Sequence, residues 1–247
     1  VTESRLHYFS YWLSWLFLGF LTPGLAFYDF SSVQLPNVDD KARLGQAREI
    51  LGVKFNSSVA QKFKNDAGFS YRIHEKVQNS LPPKWQGEAD RMTEFLITES
   101  EAQGLDPIFI LAVIQTESSF NPETVGSAGE IGLMQILPAT AEWISETYDL
   151  PLESKKMLFD PVTNLRFGIT YFSHLRTEFD GSPRSYITAY NMGSSNVRKF
   201  EKRKKKMALN NHYLRRGYAA RVLANYNKIY REIDKKKSRQ LAGSLAK

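Results

Sequence analysis

The chain of 247 residues is 42% hydrophobic and 13% aromatic, enough to fill one substantial core, and its 24% charged fraction excludes global disorder. Zero cysteines exclude disulfides, thiol nucleophiles, cysteine-ligated zinc and a lipid-modified N-terminal cysteine. With 33 Lys and Arg against 26 Asp and Glu the net charge is +7, which suits an anionic partner: a wall polymer, a nucleic acid or an anionic lipid surface.

In chain order, residues 1–26 read as a signal peptide. The uncharged run Tyr8 to Leu21 follows Arg5 and is broken by Pro23 and Gly24, with small residues Gly24 and Ala26 at a cleavage site ahead of Phe27. The run is shorter than the roughly 20 residues of a membrane span, although an uncleaved anchor stays open. Residues 27–87 form a helical lead-in or linker region: SSVQLPN is extended, LGQAREILG carries a helical pattern, and one or two more helices precede Pro82 and Pro83.

From residue 88 the helical signals strengthen. Met92, Phe95 and Leu96 share a face, and Gly104 stops that helix. Asp106 caps the next, Pro107 opens it, and Ile108 to Ile114 is apolar all round, the mark of a buried helix. Glu117 ends that run where the polar SSFNP begins. It is either a carboxyl at the rim of a core, whose poorly solvated anion holds its proton to higher pH as a general acid must, or a solvated residue at a helix C-terminus. Residues 124–136 fit a small β-hairpin.

Pro138 starts a helix with Ala141, Ile144 and Tyr148 in a stripe and Trp143 beside it. Another spans Asp160 to about Phe179, turning Ile169, Phe172 and Leu175 inward, with Gly168 allowing close helix approach. Tyr186 to Tyr190 is a short helix ending in the NMGSSN loop, and Tyr218 to Ile233 is the last helix. The basic runs at 199–206 and 234–239 read as a solvated face and, over 233–247, a basic tail. They lack the interleaved aromatics of a nucleic-acid site. His7, His74, His174 and His212 have no ligand-like spacing, so neither a metal nor a cofactor is expected. The fold class is mainly α, a helical bundle with a cleft.

Four motifs sharpen this: ESSFNP at 117–122, GSAGEIGLMQI at 126–136, PATA at 138–141 and AYNMG at 189–193. In order and spacing they resemble the catalytic domain of the soluble lytic transglycosylases, goose-lysozyme-like enzymes that cut peptidoglycan glycan strands. The resemblance covers residues 88–232. It implies a lysozyme-like helical domain in which one glutamate, Glu117, acts as acid and then base on the MurNAc-GlcNAc β-1,4 bond. The muramic acetamido group assists, and its C6 hydroxyl closes a 1,6-anhydro ring without water. The resemblance also implies substrate-binding roles for Ser118, Ser127, Met134, Gln135, Tyr190, Asn191 and Tyr218. As residues alone, Ser127 also reads as a turn serine, Met134 as a core side chain and Tyr218 as a half-buried aromatic.

Glu130 departs from the family's pattern, standing where a small residue is usual, so an acidic group enters the lip of the cleft or points to solvent. The implied partner is peptidoglycan glycan strands, with envelope protein complexes as further partners and no nucleic acid; a membrane is a partner only if the N-terminal segment is uncleaved. The implied location is the cell envelope, in the periplasm or anchored in the inner membrane. Two alternatives remain: a hydrolytic goose-type lysozyme, marked by a second carboxylate and a positioned water, and a non-catalytic wall-binding protein.

Overall fold

The computed structural model describes residues 34–206 and 217–245. The signal-peptide or anchor expectation therefore lies outside the described residues. Within them, no helix is long and apolar enough to cross a membrane.

Helix α1 (Asp40–Leu51) starts where Asp39 accepts the N–H groups of Lys41 and Ala42. A 3₁₀ turn (Gly52–Ser57), a single α turn, α2 (Val59–Lys62), and α3 (Phe69–Ser80) follow. This lead-in is not separate from the rest. Ala47, Phe55, Phe63, Phe69 and Ile73 are buried in the same core as the later helices.

Helix α4 (Ala89–Ala102) leads to α5 (Pro107–Glu117), the centre of the bundle. Asp106 caps α5 by accepting Ile108 N–H at 2.9 Å, Pro107 fills the first turn, and every residue from Ile108 to Ile114 is at most 1% exposed. A helix with no polar stripe gains from burial on all sides, so it takes the middle of the fold. The C-terminal helices follow: α6 (Pro138–Tyr148), α7 (Pro161–Glu178), α8 (Pro183–Met192), α9 (Ser194–Lys206) and α10 (Tyr218–Leu245); α10 lies along α5, α7 and α8 meet it through Phe172 and Tyr186 against Phe109, and α6 and α9 pack on α7 and α8 respectively.

A buried polar hub ties the lead-in to this core. Asp106 is fully buried, and its second carboxylate oxygen accepts the hydroxyls of Tyr226 and Tyr230 at 2.7 and 2.8 Å. Arg43, itself 0% exposed, donates to Tyr230 Oη and to the Ala60 carbonyl and pairs with Asp40. Gln46 accepts Asp106 N–H and donates to Tyr186 Oη. Burial pushes the Asp106 carboxyl above its ordinary range; Arg43 and the two tyrosine hydroxyls oppose that push.

Four expectations change. The hairpin at 124–136 forms only as isolated antiparallel bridges, Val125 with Ile131 and Ile131 with Ile136. The short helix at 186–190 begins three residues earlier at Pro183, and beyond Gly193 the chain turns directly into α9. The basic tail is helical: α10 runs on through Leu245, and its charged residues pair with opposite charges of the lead-in. Lys62 bonds Asp234, and Lys237 bonds Asp66 at 2.6 Å. Gly168 serves a close approach, but of a loop side chain: a Cβ there would lie 2.3 Å from Met134 Sδ.

Candidate active site

Helix α5 delivers Glu117 to its last turn, and the chain then leaves the helix abruptly. Ser119 and Phe120 both take left-handed backbone (φ 52° and 66°), a conformation that L-residues avoid at roughly 1–2 kcal/mol each. Full burial of the Phe120 ring offsets that cost and fixes the exit.

Beyond it, residues 131–135 form a tight loop held from four sides. Asn164 on α7, 1% exposed, accepts Met134 N–H and donates to the Ile131 and Leu158 carbonyls, all at 2.8 Å. Ser118 Oγ donates to Leu133 O, and Tyr190 Oη donates to Met134 O, both at 2.8 Å. Met134 packs on Gly168. Gly132 is obligatory: its φ is 81°, and a Cβ would lie 2.3 Å from Asn164 Nδ2. Asn164→Ala leaves Met134 N–H and the Leu158 carbonyl without a partner, while the Ile131 carbonyl keeps Ile136 N–H, so we expect a loss of about 1–3 kcal/mol in urea unfolding, together with reduced turnover from a loosened loop. Unchanged stability would show that the loop is held without Asn164.

Exit and loop together frame a cleft of about 440 Å³ lined by Glu117, Ser127, Glu130, Gln135, Tyr190 and Asn191, among others. Glu117 is half-buried there. Tyr218, opening α10, donates its hydroxyl to Glu117 Oε1 at 2.5 Å. The ring of Tyr190 stacks on Phe172 (4.0 Å between centroids) and runs parallel to that of Tyr218 at 6.5 Å. Burial pushes the Glu117 carboxyl above the usual glutamate range; the Tyr218 hydrogen bond and the Arg221 charge oppose the shift, and Glu130 adds to it. The arrangement can present a proton from a carboxyl that keeps it to unusually high pH, inside a polar cleft walled by aromatic rings.

The residues named from the sequence divide into two groups. Glu117, Ser127, Gln135, Tyr190 and Asn191 line the cleft, and Tyr218 touches it through Glu117. Ser118 and Met134 do not line it. Ser118 is spent on the loop backbone, and Met134, expected against a sugar ring, is 0% exposed and filled in against Gly168. Gln135 is turned about: its amide nitrogen donates to the Thr124 and Gly132 carbonyls, so its carbonyl oxygen is the group free to accept from a ligand. Glu130 enters the cleft lip and accepts Ala128 N–H at 2.9 Å.

Sequence reasoning missed Asn164, Thr140 and Tyr171. Asn164 carried a signal: it sits one turn before Gly168 on the inward face of α7, a carboxamide in an apolar stripe, and such a group is buried only with partners.

Against known proteins, residues 94–213 match the family model described as Transglycosylase SLT domain. A membrane-bound lytic murein transglycosylase C of Histophilus somni is 41% identical over 105 residues, 38% of this chain and 28% of that protein. The fold is shared with the 70-kDa soluble lytic transglycosylase of Escherichia coli (TM-score 0.51, 20% identity, 81% of this chain and 38% of that one). It is also shared with the 70-kDa soluble lytic transglycosylase in complex with bulgecin A (TM-score 0.52, 22% identity, 81% and 37%). The chain spans about a quarter of the length of the curated relatives it matches.

Proposed function

We propose that this domain is a peptidoglycan lytic transglycosylase acting in the cell envelope, cleaving the MurNAc-GlcNAc β-1,4 bond and leaving 1,6-anhydro-MurNAc ends. The observation that carries the reading is Glu117: a half-buried carboxyl with a raised pKa, bonded to Tyr218, at the floor of a sugar-sized polar cleft in an SLT-type domain. Glu117 protonates the glycosidic oxygen as the bond breaks. The acetamido carbonyl of the muramic sugar supports the cationic anomeric carbon, and Glu117, now ionised, takes the proton of the C6 hydroxyl as that oxygen closes the ring. Tyr190 and Asn191 orient the acetamido group, while Ser127 and the Gln135 carbonyl receive sugar hydroxyls.

One observation favours hydrolysis as the alternative. Glu130 is a second carboxylate in the same cleft, and paired carboxyls are how most glycosidases deliver water. Digestion of purified sacculi in heavy-oxygen water separates the two. The proposed reaction leaves unlabelled anhydro ends; labelled reducing ends as the main product overturn it in favour of lysozyme-type cleavage.

The neighbours of Glu117 make opposite pH predictions. The Tyr218 hydrogen bond holds the Glu117 pKa down, so Tyr218→Phe raises it, and the alkaline limb of kcat/KM moves to higher pH. The Glu130 charge holds it up, so Glu130→Gln lowers it, and the same limb moves to lower pH. Rate profiles of both variants check this; shifts of the same sign would remove Glu117 as the group whose protonation limits the rate.

A further inference from the structure

The cleft does not stop at Tyr190. A second depression of about 290 Å³ adjoins it, lined by Trp143, His174 and Glu178 and sharing Thr140 and Tyr171 with the first. The rings form a row leading away from Glu117: Tyr218 to Tyr190 at 6.5 Å, Tyr190 to Tyr171 at 5.4 Å, Tyr171 to Trp143 at 6.2 Å. Trp143 ends the row, 38% exposed on α6.

Its orientation is fixed by a neighbour in the same depression. His174 packs edge-on to it at 4.8 Å, and His174 is in turn bonded through Nδ1 to Tyr148 Oη at 2.8 Å. Glu178, on the same wall, is held by Arg198. A core needs no exposed indole braced by a hydrogen-bonded histidine, and a lone surface aromatic needs no bracing. A rigid ring with acceptors and donors at its edge suits a ligand with one apolar face and a polar rim. A pyranose is such a ligand: its axial C–H groups make the face, and its hydroxyls make the rim.

We propose that Trp143 is the platform of an additional sugar subsite, where a unit of the glycan strand distant from the scissile bond stacks on the indole while Glu178, His174 and Thr140 meet its hydroxyls. The occupant is the same strand that fills the Glu117 cleft, because the two depressions adjoin with Thr140 and Tyr171 in both linings. The inference rests on the glycan-cleaving reading of that cleft. It adds a length preference: strands long enough to reach Trp143 are held better than short ones.

The test uses the full chain and uncross-linked glycan strands fractionated by length. Trp143→Ala is expected to lower kcat/KM on long strands about ten-fold, through KM with kcat kept, while the shortest cleavable strands are affected far less. Trp143→Phe, which keeps a ring face, recovers most of the loss. An equal loss on all lengths, or no loss on any, overturns the subsite. Calorimetric binding of long strands to Glu117→Gln, with and without Trp143→Ala, decides the same point without turnover. If the unmodified protein cleaves no strand of any length, the cleavage reading fails, and this binding comparison alone decides Trp143: about ten-fold weaker binding without the indole supports the subsite, and equal binding overturns it.

Discussion

Glu117→Gln is expected to lower turnover on glycan strands at least about 100-fold, the lower range for removal of a general acid, while strand binding is kept. Glutamine nearly matches glutamate in shape and still accepts the Tyr218 hydroxyl through its carbonyl, so the cleft should keep its form; what it cannot do is give up a proton. The same substitution should stabilise the fold, with a definite pH dependence. Folding raises the Glu117 pKa above its ordinary 4.5, so the favourable contribution of its protonated form is complete below 4.5 and is lost as pH rises through the folded value. Glutamine has no such loss. The gain in melting temperature of the variant over the natural protein should therefore be absent in acid and grow on the way to neutrality. Near-natural turnover would remove Glu117 from the chemistry; a gain in melting temperature independent of pH would remove the burial argument.

This pairing of lost activity with gained stability follows from where the helix ends. A carboxyl at the rim of a buried helix is costly to ionise, and that cost is what keeps it protonated for catalysis. The position of Glu117 was legible because its determinants are local: Asp106 as cap, Pro107 as first residue, seven apolar residues in a row, then polar residues. The motifs likewise pointed to most of the cleft wall. What local pattern could not give is which motif residues face the ligand. Ser118 and Met134 stand beside Glu117 and Gln135 in their motifs, yet they turn inward because Leu133 O needs a donor and Gly168, thirty-four residues beyond Met134, leaves a hole of the right size. Trp143 read as an aromatic beside a stripe; only its packing on His174, thirty-one residues on, gives it a fixed face.

The basic tract at 234–239 failed for a related reason. Charge density read as a tail, since its partners, Asp66 and Lys62, lie more than 170 residues earlier. Once α10 is anchored on α5 by its apolar face, these pairs cost little to form and let the helix continue. The Lys62–Asp234 pair is exposed enough to contribute only a few tenths of a kcal/mol, whereas the Asp66 carboxylate beneath Lys237 is largely buried.

The buried hub is different in scale. Arg43→Met is expected to destabilise the protein by about 3–5 kcal/mol in urea unfolding, the range for breaking a buried charged pair by removing one partner. Methionine fills the stem's volume but leaves the Ala60 carbonyl and the Tyr230 hydroxyl without their donor, and Asp106 without the cation that opposes its burial. The sign with pH follows. Losing Arg43 raises the already raised Asp106 pKa further, so stability that the natural protein keeps should drain away in the variant as pH rises through that higher value. Asp106→Asn removes the charge while keeping a side chain that caps α5, so in the Arg43→Met background it should return part of the loss and abolish the extra pH dependence. The hub sits at the N-terminus of α5, about 16 Å along the helix from Glu117 at 1.5 Å per residue, so kcat measured well below the melting transition should change little. A loss under about 1 kcal/mol in Arg43→Met, or strict additivity of the two substitutions, would show that the hub contributes no coupled stability and that α5 is positioned by apolar packing alone.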